Sequence, residues 1–373
     1  MTNMFKQKSK KVHFDKTLLV VSSLILAFGL VMLFSASVAV GLERFGDSSF
    51  FIKRQIIFLA IGLVVFYIVY KIDYHFWQKW SLLILGGSIF LLILVLIPGI
   101  GASGQGAQRW INLGVFGFQP SELVKLTLII YMSAWFAERG ARAIQDVQRG
   151  LIPFVSLLAI IALLILKQPD LGTLIIIVFI AMALFFVGGA DIKHLFWLIV
   201  SGALMFGIAI KTAPYRLARL TAFLNPSADP QGAGYHIIQA KLAVGSGGIF
   251  GLGLGHSRQK FFYLPEVTGD SIFAVIAEET GFVFSVLVVV LFLLFFWRGI
   301  KIASIAPDAF GKLVASGIAV WICVQAFVNI GAMLGILPLT GLTLPLVSYG
   351  GSSLIVTMAA IGMLLNISKQ CKG

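Results

Sequence analysis

The sequence predicts an all-α protein that crosses a membrane about ten times, and three observations support this. Of its 373 residues, 59% are hydrophobic and only 12% are charged, and the mean hydropathy is +1.00. Apolar runs of about 16 or more residues recur from one end to the other, close to the length that a helix needs to cross a bilayer. These runs are continuous, whereas the strands of a transmembrane sheet alternate between apolar and polar residues.

The order of the elements follows from these runs. A basic tail at 1–16 precedes an apolar run at 17–40, which is longer than the core of a cleaved signal, about 7–15 residues. We therefore expect this run to be an uncleaved first span. Nine further spans are predicted at 55–70, 81–97, 121–137, 151–166, 171–189, 194–211, 271–296, 313–333 and 351–367. One membrane domain then covers 17–368, with a long extracytoplasmic loop at 212–270 between the seventh and eighth spans and a tail at 369–373.

The distribution of lysine and arginine predicts cytoplasmic N and C termini, because basic loops stay on the cytoplasmic side. The tails and the loops on their side contain sixteen of these residues, whereas the short loops on the opposite side contain five. We attribute the net charge of +13 to this asymmetry and expect no nucleic acid partner. The two cysteines, one in an apolar run and one in the C-terminal tail, indicate no disulfide framework.

Four polar segments fall on the predicted outer side, at 101–125, 167–173, 212–270 and 335–353. They contain eight of the eleven prolines, whereas the inner loops are plain basic connectors. Irregular backbone at membrane depth is tolerated only where it packs against protein or lines a wet cavity. We therefore expect these segments to build a polar cavity that opens outward and works from one side of the membrane.

Asp270 lies where the polar segment 261–270 meets a long apolar run that starts at Ser271. A carboxylate at this depth is costly, so it indicates a functional site. Two interpretations are open: an N-cap of the following helix, where aspartate is favoured, or a general base at the mouth of the cavity. Glu278 and Glu279 lie about two turns further on. One of them is expected to pair with a basic residue or to stay protonated, because desolvation raises the pKa of a carboxyl group.

Two further pairs of charged residues have helical spacing. Glu122 and Lys125 share a helix face at the start of the fourth span. They either shape the cavity floor or contact a polar headgroup, or they form a structural ion pair that makes both charges tolerable in the membrane. Arg216 and Arg219 lie in a segment whose leucines predict an amphipathic helix in the outer interface. That helix either anchors the chain to lipid or contacts a phosphate, to which arginine is well matched.

The run GSGGIFGLGLG at 245–255 has the composition of a phosphate loop but fits neither the Walker pattern nor the dinucleotide fingerprint. Phe250 and His256 stand where a glycine is needed, so we expect these glycines to permit tight turns or close backbone approach. The five histidines and two cysteines have no metal-ligand spacing. A divalent cation, Mg²⁺ or Mn²⁺, held by carboxylates and substrate phosphates stays open, and no organic cofactor is expected.

Five motifs occur together and in order along the chain. They are RWINLGVFGFQPSELVK, KQPDLGT, FLNPSADPQGAGYHIIQAKLAVGSGGIFGLGLG, YLPEVTGDSIFAVIAEETG and LPLTGLTLPLVSYGGSS. On a ten-span frame they resemble the SEDS family of bacterial cell-wall polymerases, the RodA, FtsW and SpoVE group, over nearly the whole length. The segments PYRLARLTAFLNP, GLGLGHSRQKFFYLPE and GLTLPLVSYGGSS are most similar to the FtsW branch. The family usually reads Thr-Asp-Phe-Ile-Phe at its key aspartate, and this chain keeps the aspartate, Asp270, with different neighbours.

The resemblance implies a peptidoglycan glycosyltransferase of the bacterial cytoplasmic membrane that acts during cell division. Its substrate would be lipid II, carried on undecaprenyl pyrophosphate, which it polymerises into glycan strands at the outer face. Asp270 matches the family's essential aspartate and is the expected general base, while Glu122 and Lys125 match its charged pair. Implied partners are a class B penicillin-binding protein, which is a transpeptidase, and other membrane proteins of the divisome. The residues expected to line the cavity or bind substrate are Arg109, Trp110, Gln119, Glu122, Lys125, Arg216, Arg219, Ser246, Ser348 and Ser352.

Two other functions stay open at this stage. Intramembrane charges and interrupted spans are also typical of transporters, so a lipid II flippase is the first alternative. The second is a non-catalytic scaffold that recruits the transpeptidase to the divisome. Purified protein supplied with lipid II in detergent distinguishes them, because only the enzyme lengthens glycans.

Overall fold

The computed structural model is a bundle of helices with one small sheet, and it describes residues 14–99, 101–104, 107–112, 114, 117–211 and 214–371. The helices are α1 Lys16–Phe45, α2 Phe50–Lys71, α3 Tyr74–Lys79, α4 Ser81–Val95, α5 Pro120–Gln145, α6 Ile152–Lys167, α7 Leu171–Val187, α8 Ile192–Lys211, α9 Pro214–Leu224, α10 Tyr235–Ser246, α11 Ile272–Ile305, α12 Ala309–Met333 and α13 Gly351–Gln370. The predicted all-α architecture is therefore confirmed for the bulk of the chain.

Six helices of the described chain are long and apolar enough to cross a membrane: α1, α2, α6 with the turn before it, α11, α12 and α13. Three shorter apolar helices lie at 81–95, 171–187 and 192–205. Each of the ten predicted spans falls on a helix: six on these long helices, three on the shorter ones and one on α5. The chain is thus a polytopic membrane protein, while the number of crossings and the side of the termini stay predictions.

Helices α12 and α13 form the centre of the bundle. In their most apolar windows 78% and 94% of the residues are buried, compared with 22% in α2. α13 packs against α2, and α12 packs against α5, α7 and α11. The outer helices expose large apolar side chains such as Leu82, Trp197 and Met205. Such a surface suits contact with lipid tails, which are as apolar as leucine.

A three-stranded antiparallel sheet connects α4 to α5, and the sequence did not predict it. Its strands are β1 Gly101–Gly104, β2 Ala107–Asn112 and β3 Gly117–Phe118, in the order β1-β2-β3. The register pairs Ala102 with Trp110. Strands of two to six residues rich in glycine carry too little alternation to be recognised by pattern.

Helix α11 is broken at Gly281, where φ is 74°, so the predicted eighth span is not one continuous helix. The backbone groups released by the break bond to the glycine run before it. The amide of Leu252 donates to the carbonyl of Glu278 at 3.0 Å, and the amide of Phe282 donates to the carbonyl of Gly248 at 2.9 Å. The broken helix thereby satisfies its polar groups inside the protein, as backbone at membrane depth requires.

The two backbones approach so closely because neither carries a side chain at the contact. A Cβ atom on Gly281 would lie 2.3 Å from the amide nitrogen of Gly251, and a Cβ atom on Gly251 would lie 2.2 Å from the carbonyl oxygen of Glu279. Both distances are far below van der Waals contact. The expectation that this glycine run permits close backbone approach is confirmed.

The segment 212–270, predicted to be one long extracytoplasmic loop, contains helices in the structure, and its side of the membrane stays a prediction. Its first part contains α9, which is the helix predicted for the segment with the two arginines. α10 packs against α11 and α12, and the chain after the glycine run buries Ser257 and Lys260. This second half is therefore built into the bundle, where it can position residues of the site.

The substitution Gly281→Ala is expected to destabilise the protein, because the added methyl group meets Gly251 and a positive φ disfavours a side chain. The cost should be about 2–4 kcal/mol, measured as a lower Tm in detergent. Gly86→Ala in α4 is the control, since nothing lies within 4 Å of the added Cβ atom and alanine has the higher helix propensity. Equal Tm values for the two variants would contradict the close contact at the break.

Candidate functional site

Asp270 lies at the end of the polar segment that leads into α11. Ser271, and not Asp270, occupies the N-cap position of this helix, and the N-cap makes no side-chain capping bond. The N-cap interpretation of Asp270 is therefore wrong. The side chain is half-buried, and its Oδ1 atom is buried with no hydrogen-bond partner among the described residues. One carboxylate oxygen is thus left without a partner among the described residues.

The surroundings of Asp270 raise the pKa of its carboxyl group to near neutral pH. Burial, and to a smaller extent the charge of Glu266, raise the pKa of Asp270 to about 7, while Arg219 acts in the opposite direction. His236 lies 2.6 Å from the Ser271 hydroxyl, and burial together with Arg219 lowers its pKa to about 4. This histidine is therefore neutral at pH 7. A carboxyl group with a pKa near 7 is well matched to general base catalysis at neutral pH.

The main chain before Asp270 is held by the loop between α12 and α13. The amide of Tyr349 donates to the carbonyl of Thr268 at 2.8 Å. The Ser348 hydroxyl donates to the carbonyl of Gly269 at 2.6 Å. The structure thus brings Ser348 to the site, but its hydroxyl is already engaged with the backbone.

Asn329 on α12 completes this set of bonds, and it was not among the residues that the sequence predicted for the site. Its Nδ2 atom donates to the carbonyl of Asp270 and to the carbonyl of Leu342, both at 2.7 Å. The side chain is 1% exposed. The available signal was an amide side chain within an apolar helix, which is costly in a membrane unless it bonds internally.

Glu122 and Lys125 form the predicted ion pair, with 2.8 Å between Lys125 Nζ and Glu122 Oε1. Both side chains are buried. Lys125 Nζ also donates to Gln325 Oε1 at 2.8 Å and lies 5.1 Å from the ring centre of Trp321. Gln325 in turn donates to the carbonyl of Thr343 at 2.9 Å. The pair is thus bonded into the interior of the bundle.

Helix α12 connects this ion pair to Asp270. Gln325 and Asn329 are four residues apart, so they lie on one face of α12. They bond to Thr343 and Leu342, which are neighbours in the loop between α12 and α13. The ion pair and the aspartate are therefore linked through the interior of the protein by side-chain amides and one loop.

Two cavities in the described chain are apolar. One lies between α10, α11 and α12 and is lined by Phe273 and Ala277, and the other lies between α7, α8 and α12. Neither is lined by Asp270, Glu122 or Lys125. The polar outward-opening cavity expected around these residues therefore stays a prediction.

A second group of predicted residues surrounds the turn between α6 and α7. The Nε atom of Arg109 donates to the carbonyl of Gln168 at 3.0 Å. The amide nitrogen of Gln119 donates to Ser352 Oγ at 2.9 Å, and its side chain reaches Asp170 Oδ2 at 3.3 Å. These contacts join the sheet, α5, α7 and α13, and they bond none of the three residues to Asp270.

The remaining predicted residues are dispersed. Trp110 packs over β3, and Ser246 donates to a carbonyl of its own helix, α10. Arg219 is exposed on α9 but lies close enough for its charge to act on Asp270. The side chain of Arg216 lies outside the described residues.

The two glutamates of α11 are buried and have partners. Glu279 pairs with Lys260 at 2.7 Å and accepts a hydrogen bond from the Ser35 hydroxyl. Glu278 accepts a hydrogen bond from the Ser257 hydroxyl. The prediction that one of them pairs with a basic residue is confirmed. Both fasten the chain after the glycine run to α11.

The variant Lys125→Met is expected to lose about 3–5 kcal/mol of stability, because it leaves the buried charge of Glu122 without its partner. The double variant Glu122→Gln with Lys125→Met should recover most of this loss, since it removes both charges together. The Tm in detergent measures both effects. If the single and the double variant lose the same stability, the two residues do not act as a pair.

Comparison with known proteins agrees with this architecture. Residues 15–373 match the family model for the FtsW, RodA and SpoVE group, described as cell cycle proteins. The chain is 44% identical over 364 residues to stage V sporulation protein E of Bacillus subtilis, which covers 98% of this chain and 99% of that protein. It is 40% identical over 360 residues to a Geobacter protein (strain M18) named probable peptidoglycan glycosyltransferase FtsW, over 96% of this chain and 98% of that protein.

Two solved structures share the fold. A chain of a peptidoglycan synthase complex, whose structure describes the coordination of polymerization and crosslinking, has a TM-score of 0.79 and 30% identity, over 95% of this chain and 97% of that chain. The rod shape determining protein RodA of Thermus thermophilus has a TM-score of 0.71 and 29% identity, over 96% of this chain and 98% of that chain. The match to the family model over almost the entire sequence, together with these relatives, shows that the chain belongs to the FtsW, RodA and SpoVE family.

Proposed function

We propose that this protein is a peptidoglycan glycosyltransferase that polymerises lipid II into glycan strands during cell division, with Asp270 as its general base. The observation that carries the assignment is the buried Oδ1 atom of Asp270, which has no hydrogen-bond partner among the described residues and belongs to a carboxyl group with a pKa raised to about 7. Relatives named as probable peptidoglycan glycosyltransferases support the reaction class.

The chemistry needs one base and no second carboxylic acid. A sugar hydroxyl attacks the anomeric carbon of a lipid-linked sugar, forms the new C–O bond and gives its proton to Asp270. The bond from the anomeric carbon to the pyrophosphate breaks, and its electron pair leaves with the pyrophosphate. This leaving group is already an anion, so it needs charge stabilisation and not the proton that a glycosidase supplies with its second carboxyl group.

The contacts of the basic residues support one of them as the group that stabilises the pyrophosphate. Lys125 is buried and engaged by Glu122 and Gln325, and Arg109 is engaged by the turn between α6 and α7. Arg219 is exposed, and its charge already acts on Asp270. We therefore assign the contact with the pyrophosphate to Arg219 and a structural role to Lys125.

A divalent cation is part of the proposal only as a companion of the substrate. Among the residues that the structure describes, no group of three histidine, cysteine, aspartate or glutamate side chains is placed to hold a metal ion. Mg²⁺ or Mn²⁺ would therefore take most of its ligands from pyrophosphate oxygens and water, as Mg²⁺ commonly does. Such an ion would neutralise charge on the leaving group.

We place the reaction on the extracytoplasmic side of the bacterial cytoplasmic membrane, with a class B penicillin-binding protein and other divisome membrane proteins as partners. The excess of lysine and arginine on the side of the termini supports the orientation. The similarity to a synthase that coordinates polymerization with crosslinking supports a transpeptidase partner.

In a reconstituted assay with purified protein and lipid II, Asp270→Asn is expected to lower the rate of glycan polymerisation by about 10²–10⁴-fold, the usual contribution of a general base. Wild-type protein should lengthen glycans without a partner transglycosylase. Transport of labelled lipid II across vesicles without polymer would identify a flippase, and neither activity would identify a scaffold. Full polymerisation by a folded Asp270→Asn variant would refute the role of this residue as base.

The polymerisation rate should rise with pH through about 7, because a general base acts only after it loses its proton and the pKa of Asp270 is raised to about 7. Glu266→Gln removes a like charge and should move the midpoint of the profile to lower pH. Arg219→Gln removes an opposite charge and should move it to higher pH. Initial rates measured across the pH range test both shifts, and shifts in the same direction would exclude Asp270 as the titrating group.

A further inference from the structure

We propose that Asn329 is a positioning residue that fixes the carboxylate of Asp270 for proton transfer, an inference that rests on the proposed function. Asn329 stands on α12, whose most apolar window is 78% buried within the bundle. It lies 59 residues away from Asp270 in sequence and contacts its main chain directly. Nothing in the motifs pointed to it, because its role comes from tertiary contact alone.

Both N–H groups of the Asn329 amide are used. One donates to the carbonyl of Asp270 and the other to the carbonyl of Leu342, each at 2.7 Å. The two acceptors belong to separate segments, the polar segment that leads into α11 and the loop between α12 and α13. One side chain on the central helix therefore joins these two segments at Asp270.

The loop that Asn329 holds is also the neighbour of the carboxylate. A Cβ atom built on Gly341, the residue before Leu342, would lie 4.0 Å from Asp270 Oδ2. The φ angle of Gly341 is 70°, in the region that favours glycine. Asn329 thus fixes the backbone of Asp270 and the backbone that passes beside its carboxylate with one amide group.

The Oδ1 atom of this carboxylate has no hydrogen bond among the described residues, so the place of the carboxylate depends on its main chain and on the hydrogen bond with the adjacent Ser271. A general base must come within about 2.6–3.2 Å of the proton that it removes. A misplacement of about 1 Å is enough to lower a reaction rate on the order of 10²-fold. A displacement of the main chain at Asp270 therefore displaces the side chain as well, because Oδ1 has no hydrogen bond among the described residues that would hold it in place.

Removal of Asn329 should leave the segment folded, because two neighbouring carbonyls keep their bonds. The amide of Tyr349 still holds Thr268, and the Ser348 hydroxyl still holds Gly269. The carbonyl of Asp270 then loses its hydrogen bond and becomes more mobile, while the rest of the segment stays folded. This separates a positioning effect from a loss of structure.

Asn366 on α13 provides a matched control. Its side chain is 2% exposed. Its Nδ2 atom donates to the carbonyl of Tyr70 at 2.7 Å, and its Oδ1 atom accepts a hydrogen bond from the amide of Tyr74 at 3.0 Å. Its Oδ1 atom also accepts a longer hydrogen bond from Gln370 Nε2 at 3.4 Å. Replacement by alanine therefore removes two hydrogen bonds of Asn329 and three of Asn366, but of the two only Asn329 contacts the main chain of Asp270.

The first experiment compares Asn329→Ala with Asn366→Ala in detergent-purified full-length protein. Both should lower the Tm to a similar extent. Asn329→Ala should lower kcat for polymerisation at least tenfold with KM unchanged, whereas Asn366→Ala should keep kcat within twofold of wild type. Equal kcat losses in the two variants, or a loss confined to KM, would overturn the proposal. Asn329→Ser, which keeps one short donor, should fold where alanine fails and show an intermediate kcat.

A second readout does not need activity. Carbodiimide modification of the Asp270 carboxyl group, quantified by mass spectrometry, should become several times faster in Asn329→Ala and stay unchanged in Asn366→Ala. An unchanged rate in both variants would overturn the positioning role. If wild-type protein makes no polymer from lipid II but the modification rates differ as expected, the proposed function fails and the positioning of Asp270 by Asn329 stands.

Discussion

The structure depends on polar groups inside a membrane bundle finding partners within the protein. Water is absent from the hydrocarbon region, so each unsatisfied backbone or charged group costs several kcal/mol. The ion pair of Glu122 and Lys125, the amide nitrogens of α12 and the broken backbone of α11 find such partners, whereas Glu122 Oε2 and Asn329 Oδ1 have none among the described residues. Their mutual bonds determine which segments meet, and in this way they bring Asp270 to a fixed place.

Much of the frame was accessible from the sequence, because long apolar runs leave few alternatives to membrane helices. The ten runs coincide with ten helices, and the spacing of Glu122 and Lys125 predicted their contact. The glycine run before Asp270 was also interpreted correctly as a place of close approach. These features depend on local periodicity or on composition, which a single sequence displays directly.

The parts that could not be predicted arise from contacts between distant segments. The break in α11 needs the glycine run as a partner, and a lone Gly281 inside an apolar run gives no sign of it. Asn329 was missed because an amide in a helix has many possible acceptors, and only the folded chain identifies Asp270 as one of them. The expected polar cavity rested on composition, which does not specify the shape of the space between helices.

The break in α11 has a mechanical consequence. The nine residues from Ile272 to Thr280 are all buried, whereas the longer part after Gly281 exposes large side chains such as Phe282 and Trp297 on its surface. A glycine would ordinarily let two such parts of a helix bend relative to each other. Here the backbone hydrogen bonds from the glycine run hold the two parts in a fixed orientation. If a neighbouring protein in the membrane tilted the part of α11 after Gly281, these bonds would therefore pass the tilt on to the part before Gly281. Asp270 lies at the far end of that part.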